Sequence, residues 1–298
     1  MSGAAFALDD LRVMVGGRIG LHDVPCPECG PHRWAPKNRT RTVLRIWMID
    51  DRFATYCCAR CGAKGEAHAG RDGRPVDHDA IRRARAAAAE RGRETAAIRL
   101  GKAKWLWRQR LAIAGTIVER YLRNVRGYGG TIPATLGFLP GRGEHGPAMI
   151  AAYGVPAEPE PGVLMMTERR FVGVQITRLT DAGEKVPDDD AKISVGKSAG
   201  SPIVLAPLND LLGMAICEGA EDALSIFEAT GLGAWAAGGA SRLPALAEAV
   251  PSYTGCVSVI VDDDPDGRRH ALELITRLKA RHFNVETVTF PSIIAEAA

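Results

Sequence analysis

Two apolar runs that each end in acidic residues constrain the fold of this chain more than any other feature. The first comprises Ile216–Gly219 and Glu221–Ser225, and the second, Val259–Gly267, follows about forty residues later. Each run is followed by a segment with the spacing of an amphipathic helix. An apolar strand followed by a helix, repeated along the chain, predicts an α/β fold in which functional groups collect beyond the carboxyl ends of parallel strands.

The acidic residues after these two runs predict a site for a divalent cation. If the runs form neighbouring strands, Glu218, Asp262 and Asp264 lie at one sheet edge and repel each other unless a cation offsets their charge. Mg²⁺ typically uses one or two carboxylates together with phosphate oxygens. Alternate residues of an extended chain point the same way, so Asp262 and Asp264 can share a metal while Asp263 points elsewhere. The alternative is a solvated turn, because Asp-Pro-Asp-Gly is also a good turn sequence.

The order of these acidic motifs resembles the Toprim domain, which occurs in bacterial-type primases, type IA and II topoisomerases and some nucleases. Glu-Gly-x-x-Asp is followed by Asp-x-Asp-x-x-Gly, at Glu218, Gly219, Asp222, Asp262, Asp264 and Gly267. The resemblance covers Leu212 to about Phe290. It implies that the glutamate acts as a general acid or base and that the two aspartates hold Mg²⁺ or Mn²⁺. It does not choose among the reactions of the family.

Two Cys-x-x-Cys knuckles predict a zinc ribbon in the first part of the chain. They are separated by 28 residues and supply the ligands Cys26, Cys29, Cys58 and Cys61. Four thiolates at this spacing match a tetrahedral structural zinc site. Because Cys57 adjoins Cys58 and His32 follows the first knuckle, each of these two is an alternative ligand. Five of the seven cysteines lie in this cluster, which indicates a reducing compartment rather than a disulfide framework.

The segment between the knuckles predicts two strands, Val43–Ile49 and Phe53–Tyr56, around a short turn. It is rich in arginine and contains Trp34 and Trp47. Cations and aromatic rings suit single-stranded nucleic acid, but we interpret Trp47 as part of the small core that a ribbon needs. The closing stretch, Tyr56–Gly65, resembles the end of the primase zinc-binding domain. In that family a histidine usually replaces the second cysteine and the intervening loop is shorter.

Charge is distributed unevenly along the 298 residues, whose formal net charge is +3. Residues 1–130 carry 25 basic and 13 acidic residues, a net +12, whereas residues 131–298 carry 13 and 22, a net −9. This asymmetry predicts that the first half binds nucleic acid while the second handles metal. The alternative is an arginine-rich composition with solvated helix faces.

Changes in composition along the chain predict four segments: a zinc ribbon at 20–66, a helical segment at 77–126, a small α+β middle domain at 127–209 and a Toprim domain at 210–298. The short apolar runs of the middle domain predict the strands Thr135–Phe138, Met149–Tyr153, Gly162–Met166, Phe171–Leu179 and Ile203–Leu205. In the last segment strands alternate with helices, which predicts a parallel sheet with right-handed crossovers.

The order of these features also resembles small primase-like proteins of phages and other mobile elements. In bacterial primases, basic residues ahead of the Toprim motifs are thought to contact nucleotide or template. The resemblance therefore implies substrate-binding roles for Arg178, Lys192 and Lys197. The alternative for each is a solvated surface cation.

We therefore expect a DNA primase, a nucleotidyltransferase that makes primers from NTPs on single-stranded DNA, with structural Zn²⁺ and catalytic Mg²⁺ or Mn²⁺. A replicative helicase would come from a separate chain. The alternatives are a Toprim nuclease and a non-catalytic DNA-binding subunit that loads a helicase. No apolar run approaches the roughly 18 residues of a membrane span, and the first ten residues lack a signal-peptide pattern. A cytoplasmic location without membrane contact is the corresponding expectation.

Overall fold

The computed structural model describes residues 6–33, 36–69, 78–187 and 191–289. The chain divides into two compact units, Met1–Glu94 and Thr95–Ala298. The sequence predicts four segments instead, and their boundaries stay predictions. The α/β class, with a cysteine cluster first and a mostly parallel sheet last, is confirmed.

The first unit is built on a four-stranded antiparallel sheet in the order β1-β2-β3-β4, whose strands are Gly20–Pro25, Thr42–Met48, Phe53–Cys58 and Lys64–His68. Helix α1 (Leu8–Met14) precedes the sheet, and the short α2 (Pro36–Arg39) follows the first knuckle. The two predicted strands are thus confirmed as β2 and β3, while β1 and β4 have too few apolar residues to stand out. Leu8 and Leu11 of α1 belong to the same buried cluster as the inner face of the sheet.

The position of Trp47 corrects one interpretation. Leu44, Ile46 and Met48 alternate along β2 and are at most 2% exposed. Trp47 lies between two of them in the strand and is half-buried, so it belongs to the opposite face of the sheet. The predicted core role of Trp47 is therefore wrong, whereas Trp34 lies outside the described residues.

A long helix and two short turns follow. Helix α3 (His78–Arg108) has 31 residues, as expected for a segment rich in alanine, arginine and glutamate. Helix α4 (Ile117–Arg120) begins after Thr116, whose hydroxyl accepts a hydrogen bond from the Val118 amide. A π-helical turn, Tyr121–Val125, continues from it.

The middle sheet is antiparallel in the order β10-β9-β6-β5, and its strands are β5 (Leu136–Leu139), β6 (Ala148–Tyr153), β9 (Gly173–Arg178) and β10 (Lys192–Gly196). A separate hairpin is formed by β7 (Ala157–Glu160) and β8 (Val163–Met165). Adjacent strands place Ser194 opposite Gln175 and Ile193 opposite Ile176. Side chains alternate between the two faces of a strand, so these two pairs lie on opposite faces of the middle sheet.

The last sheet has five strands in the order β11-β13-β12-β14-β15, and they are β11 (Ile203–Ala206), β12 (Gly213–Cys217), β13 (Gly233–Ala236), β14 (Cys256–Val261) and β15 (Asn284–Thr289). The last four pair in parallel, as predicted. The edge strand β11 pairs antiparallel with β13, so the strand expected in the middle domain belongs to this sheet.

Helices connect the parallel strands. They are α5 (Ala220–Thr230), a 3₁₀ segment (Ala240–Ala249) and α6 (Pro265–Ala280). Strand β12 is central and buried along its whole length, so the residue that follows it is held at the middle of the sheet edge. Among the described residues, no helix combines the length and the apolar composition that crossing a bilayer requires.

Candidate functional site

The four predicted zinc ligands are brought together in the first unit. The Sγ atoms of Cys26, Cys29, Cys58 and Cys61 all lie within 4.8 Å of one another. Two of the Sγ–Sγ distances, Cys26 to Cys61 and Cys29 to Cys58, are 3.8 Å. A tetrahedral zinc with bonds of about 2.3 Å places its sulfur ligands roughly 3.8 Å apart. The donor set therefore fits a structural Zn²⁺.

The thiol pKa values show the electrostatic cost of this cluster. Burial, then hydrogen bonding and like-charge repulsion from Cys26 and Cys58, raise the pKa of Cys29 to about 12. Burial also raises the pKa of Cys26. At Cys58 burial is outweighed by the N–H groups of Cys61 and Arg60, so its pKa is lowered. A divalent cation would offset the charge that these thiols otherwise avoid.

Of the two alternative ligands, neither joins this group. Cys57 is exposed, and it is adjacent to the buried Cys58 in β3, so their side chains point to opposite faces. His32 is described and lies outside the set of ligand atoms. The regular Cys-x-x-Cys spacing therefore describes the cluster that the fold builds.

The second candidate site lies at the carboxyl ends of β12 and β14. These strands pair in parallel, so Glu218 and Asp262, which follow them, emerge side by side. Their carboxyl groups are within hydrogen-bonding reach of each other. Burial, followed by the charge of Asp262, raises the pKa of Glu218. Burial, followed by the charge of Asp222, raises the pKa of Asp262.

The third predicted carboxylate has an additional structural role. Asp264 is the N-cap of α6, and its Oδ1 accepts hydrogen bonds from the amides of Asp266 and Gly267 at 2.9 and 2.8 Å. It raises the pKa of Glu218 and of Asp262 through its charge, which places it near both. Its carboxylate does not complete a close-packed ligand set with them among the described residues. Asp263 is 91% exposed and pairs with Arg268, so it points elsewhere as predicted.

Two further acids at this edge have partners of their own. The Oε2 atom of Glu221, which is 4% exposed, lies 2.9 Å from the Lys192 Nζ, and its Oε1 accepts a 3.2 Å hydrogen bond from the Tyr121 hydroxyl. Asp222 pairs with Arg126 at 2.8 Å. Glu218 and Asp262, by contrast, have no ion pair among the described residues.

The three basic residues predicted to bind substrate are separated by the fold. Lys192 lies at the sheet edge that carries Glu218 and Asp262, which we call the carboxylate edge. There its charge lowers the pKa of Glu221 and opposes the upward pKa shifts of Glu218 and Asp262. Arg178 lies on the opposite face of the middle sheet, where it lines a cavity that contains none of these carboxylates. Lys197 is exposed just beyond β10. The structure therefore brings one of the three to the carboxylates.

Several residues at this edge carry no sequence signal. Arg242 donates from Nε to the Ser198 hydroxyl at 3.0 Å and also donates to the Gly238 carbonyl. Gln175 donates to the same carbonyl at 2.8 Å, while its buried Oε1 has no partner in the described part of the chain. Burial raises the pKa of Tyr153, and the charge of Arg242 opposes this shift. A polar, cationic group thus surrounds the Gly238 turn.

The Gly-Gly turn itself explains how closely the two sheets approach. Gly238 has φ +72°, and a Cβ there would lie 2.1 Å from the Tyr153 hydroxyl. Its amide donates to the Glu218 carbonyl, and the nearby Ala240 amide acts to lower the pKa of the Glu218 carboxyl group. A glycine is therefore needed for close packing against Tyr153, and this turn helps to hold Glu218.

Comparison with known families agrees with this architecture. Residues 213–293 match the family model described as a Toprim domain, so the predicted resemblance is confirmed. Residues 97–205 match a model described as a domain of unknown function (DUF7146). Each match covers less than half of the chain. No curated protein matches the chain.

One solved structure is similar to this chain over most of the length of the chain. It is the crystal structure of the Aquifex aeolicus primase, comprising the zinc-binding and RNA polymerase domains. The alignment covers 96% of this chain and 80% of that one, at 14% identity and a TM-score of 0.40.

Proposed function

We propose that this chain is a DNA primase that synthesises short primers on single-stranded DNA by metal-dependent nucleotidyl transfer, in the replication of a phage or mobile element. The observation that carries the proposal is the position of Lys192. The middle sheet brings this lysine to the carboxylate edge of the Toprim sheet. Two carboxylates suited to a hard cation and a lysine suited to phosphate thus lie at the same sheet edge.

The acidic pair fits Mg²⁺ or Mn²⁺. Glu218 and Asp262 are oxygen donors within hydrogen-bonding reach of each other, and the pKa values of both are raised by burial and by neighbouring acids. The Oδ2 of Asp264, which accepts no hydrogen bond from a residue that the structure describes, adds a further donor nearby. When bound, the metal would polarise the nucleotide phosphate and stabilise the leaving pyrophosphate.

The protein side chains would then position and deprotonate the reactants. Lys192, partly exposed and paired with Glu221, would bind the triphosphate as a point charge. The raised pKa of Glu218 makes it a better general base for the attacking 3′-hydroxyl. The hydroxyl oxygen bonds to the α-phosphorus as the bond to pyrophosphate breaks, and its proton passes to Glu218.

The first unit would hold the template. Its exposed sheet face contains the half-buried Trp47 and Arg45, of which Arg45 is paired with Asp23 at 2.8 Å. An aromatic ring on a basic unit suits stacking with unpaired bases. NTPs would be the substrates, and unwinding would need a helicase supplied by another chain.

The decisive test is Asp264→Asn rather than Asp264→Ala. Asparagine caps helices about as well as aspartate, so this change keeps the start of α6 and removes the charge. Purified protein would be incubated with single-stranded DNA, labelled NTPs and Mg²⁺. We expect primer synthesis to fall about hundredfold or more, because metal-supported charge stabilisation is worth several kcal/mol.

Asp263→Asn is the matched control, since the Asp263 side chain is 91% exposed and its ion-pair partner is the exposed Arg268 of α6. It should retain synthesis. Equal synthesis by Asp264→Asn and wild type would contradict the mechanism. If the wild type degrades DNA and Glu218→Ala abolishes the degradation, the function is that of a Toprim nuclease. DNA binding without turnover under Mg²⁺ or Mn²⁺, with NTPs or dNTPs, would indicate a helicase-loading subunit.

A further inference from the structure

The cavity that Arg178 lines lies on the face of the middle sheet that is turned away from the carboxylate edge. Its volume is about 470 Å³, within the range of about 300–1,000 Å³ that is usual for ligand sites. Three elements form its walls. The end of α3 contributes Trp105, the sheet contributes Ile176 and Ile193, and the β5–β6 connection contributes Arg142.

Each of these three walls also carries a cation. Lys102 lies one helical turn before Trp105, Arg178 ends strand β9, and Arg142 is in the loop. None of the three forms an ion pair or a side-chain hydrogen bond with a residue that the structure describes. Glu144 is the acidic residue of the lining, so the cations outnumber it. The cavity therefore has a net positive rim around apolar walls.

The aromatic side chain of this cavity is unusually accessible. Trp105 is 53% exposed, whereas its neighbour Trp107 is 7% exposed and belongs to a buried cluster. Ile193, on the sheet wall, is 41% exposed. Large apolar side chains that are exposed together around a concavity mark a binding surface more often than isolated ones do. The ligand must therefore present a flat apolar group and negative charge.

We propose that this cavity binds single-stranded nucleic acid, with one base against Trp105 and the flanking phosphates on Lys102, Arg142 and Arg178. A base offers the flat apolar face, and base–aromatic stacking is a general feature of single-strand binding. The cations come from three different walls, so negative charge is expected on more than one side of the base. A strand has phosphates on both sides of each base, whereas a mononucleotide does not.

The inference rests on the proposed function only in taking single-stranded DNA as the partner. It adds a contact on the face of the middle sheet opposite the carboxylate edge. At this contact Arg178 binds the template instead of the incoming nucleotide. Binding at the cavity is therefore separable from catalysis. It can be measured without added Mg²⁺, Mn²⁺ or NTPs, while synthesis is measured in a parallel assay.

The test is fluorescence anisotropy of a labelled oligothymidine with the full zinc-loaded chain. We expect Trp105→Ala to weaken binding about tenfold, since each stacked base contributes strongly, and Trp105→Phe to keep most of the affinity. Lys102→Ala should reduce the slope of log affinity against log salt by about 0.7, the value for one phosphate contact on a single strand. Photocrosslinking with an iodouracil-substituted oligonucleotide should place the adduct on Trp105.

Two matched controls lie elsewhere on the same unit. Tyr253→Ala removes an aromatic ring that is 65% exposed, and Lys279→Ala removes an exposed lysine. Both should bind like the wild type. Wild-type affinity and salt slope for Trp105→Ala and Lys102→Ala, or a crosslink mapping away from the cavity, would overturn the inference. Crosslinking of Trp105 by free iodouridine nucleotide but not by the oligonucleotide would also overturn it, in favour of a mononucleotide site.

The two hypotheses can fail separately. If Asp264→Asn makes primers as well as the wild type but Trp105→Ala binds DNA weakly, the cavity assignment stands and the proposed mechanism fails. If Trp105→Ala binds normally while Asp264→Asn loses synthesis, the cavity assignment fails and the mechanism stands.

Discussion

The cysteine cluster of the first unit could hold a structural zinc, and the carboxylate edge of the second unit is the metal site of the proposed function, but the two sets of donor atoms are arranged differently. The four Sγ atoms lie within 4.8 Å of one another and match the edges of a tetrahedron. At the carboxylate edge, Glu218 and Asp262 meet while Asp264 is also engaged in capping α6. The first set could enclose one ion completely, whereas the second would leave coordination positions for other ligands.

The difference extends to how charge is balanced. Around the carboxylates, Lys192 and Arg126 already neutralise Glu221 and Asp222. The pKa of Cys29 is raised by burial and by its fellow thiols, with Cys26 and Cys58 as the neighbours that act on it. If both sites bind the proposed metals, the thiol site would depend on a permanent ion, whereas the carboxylate edge would tolerate exchange of its metal. This is the division expected between structural and catalytic metals.

Zinc removal gives the largest expected effect on this contrast. Treatment with 1,10-phenanthroline, whose nitrogen donors prefer Zn²⁺ to Mg²⁺, should unfold the first unit, since structural zinc contributes on the order of 10 kcal/mol. In a hydrogen-exchange measurement, the amides of β2 and β3 should then exchange rapidly while those of β12 and β14 stay protected. Omitting Mg²⁺ should leave both sets protected. Continued protection of β2 and β3 in zinc-free protein would remove the basis of the contrast.

Breaking the part-buried ion pair between Lys192 and Glu221 in the second unit should have the next largest effect. Glu221→Ala leaves Lys192 without its 2.9 Å partner and the Tyr121 hydroxyl without its acceptor. Removing Glu221, the buried member of this pair and the acceptor for Tyr121, should cost about 3 kcal/mol, which urea unfolding measures. Glu273→Ala, which breaks the exposed pair with Arg277, is the control and should cost under about 1 kcal/mol. Equal losses in the two variants would mean that Glu221 is not stabilising.

The packing of the middle sheet against the five-stranded sheet can be tested at the Gly238 turn. Gly238→Ala places a Cβ 2.1 Å from the Tyr153 hydroxyl in a backbone with φ +72°. Gly231→Ala has a similar φ of +66° but no atom within 4 Å of the added Cβ. We expect about 1 kcal/mol for the shared backbone strain at Gly231 and about 2 kcal/mol more at Gly238. If thermal unfolding finds the same loss at both positions, Tyr153 is free to move aside.

A smaller effect is expected in the pH dependence of stability. Burial opposes ionisation of Glu221, but the charge and hydrogen bond of Lys192 outweigh it, so its folded-state pKa is lowered. The ionised form stabilises the fold at pH values above the unfolded-state pKa, and this contribution is lost as pH falls through the folded-state pKa. Urea unfolding from neutral to acidic pH should therefore show less pH dependence in Glu221→Gln than in the wild type. A profile unchanged by the substitution would contradict the assignment.

The sequence predicts the elements that carry both donor sets well, because each of those elements has strong local signals. The Cys-x-x-Cys spacing locates the thiols, and the strands before Glu218 and Asp262 are apolar runs that end abruptly. Strand β10 (Lys192–Gly196) escapes prediction because it is short and mixes polar with apolar residues. Trp47 is misassigned because an aromatic residue next to Leu44, Ile46 and Met48 suggests a core, whereas the alternation of β2 places it on the opposite face.

The partners that surround the carboxylates could not be predicted, because they depend on folding rather than on spacing. Lys192 and Glu221 are 29 residues apart in sequence, and Arg242 and Ser198 are 44 apart. No local pattern couples such positions. Arg178 and Lys192 illustrate the same limit, since strand pairing puts them on opposite faces of one sheet although both were assigned to substrate binding.

The smallest expected effect concerns Cys57, the thiol that adjoins the cluster without joining it. Cys57→Ser should leave zinc content unchanged and alter the free energy of unfolding by no more than about 0.5 kcal/mol, as is usual for an exposed position. Cys58→Ser removes a buried ligand one residue away and should lose the zinc. Metal analysis of the two purified variants decides between them. Loss of zinc from Cys57→Ser with retention in Cys58→Ser would mean that β3 is shifted by one residue, so that Cys57 rather than Cys58 lies on the face with the other zinc ligands.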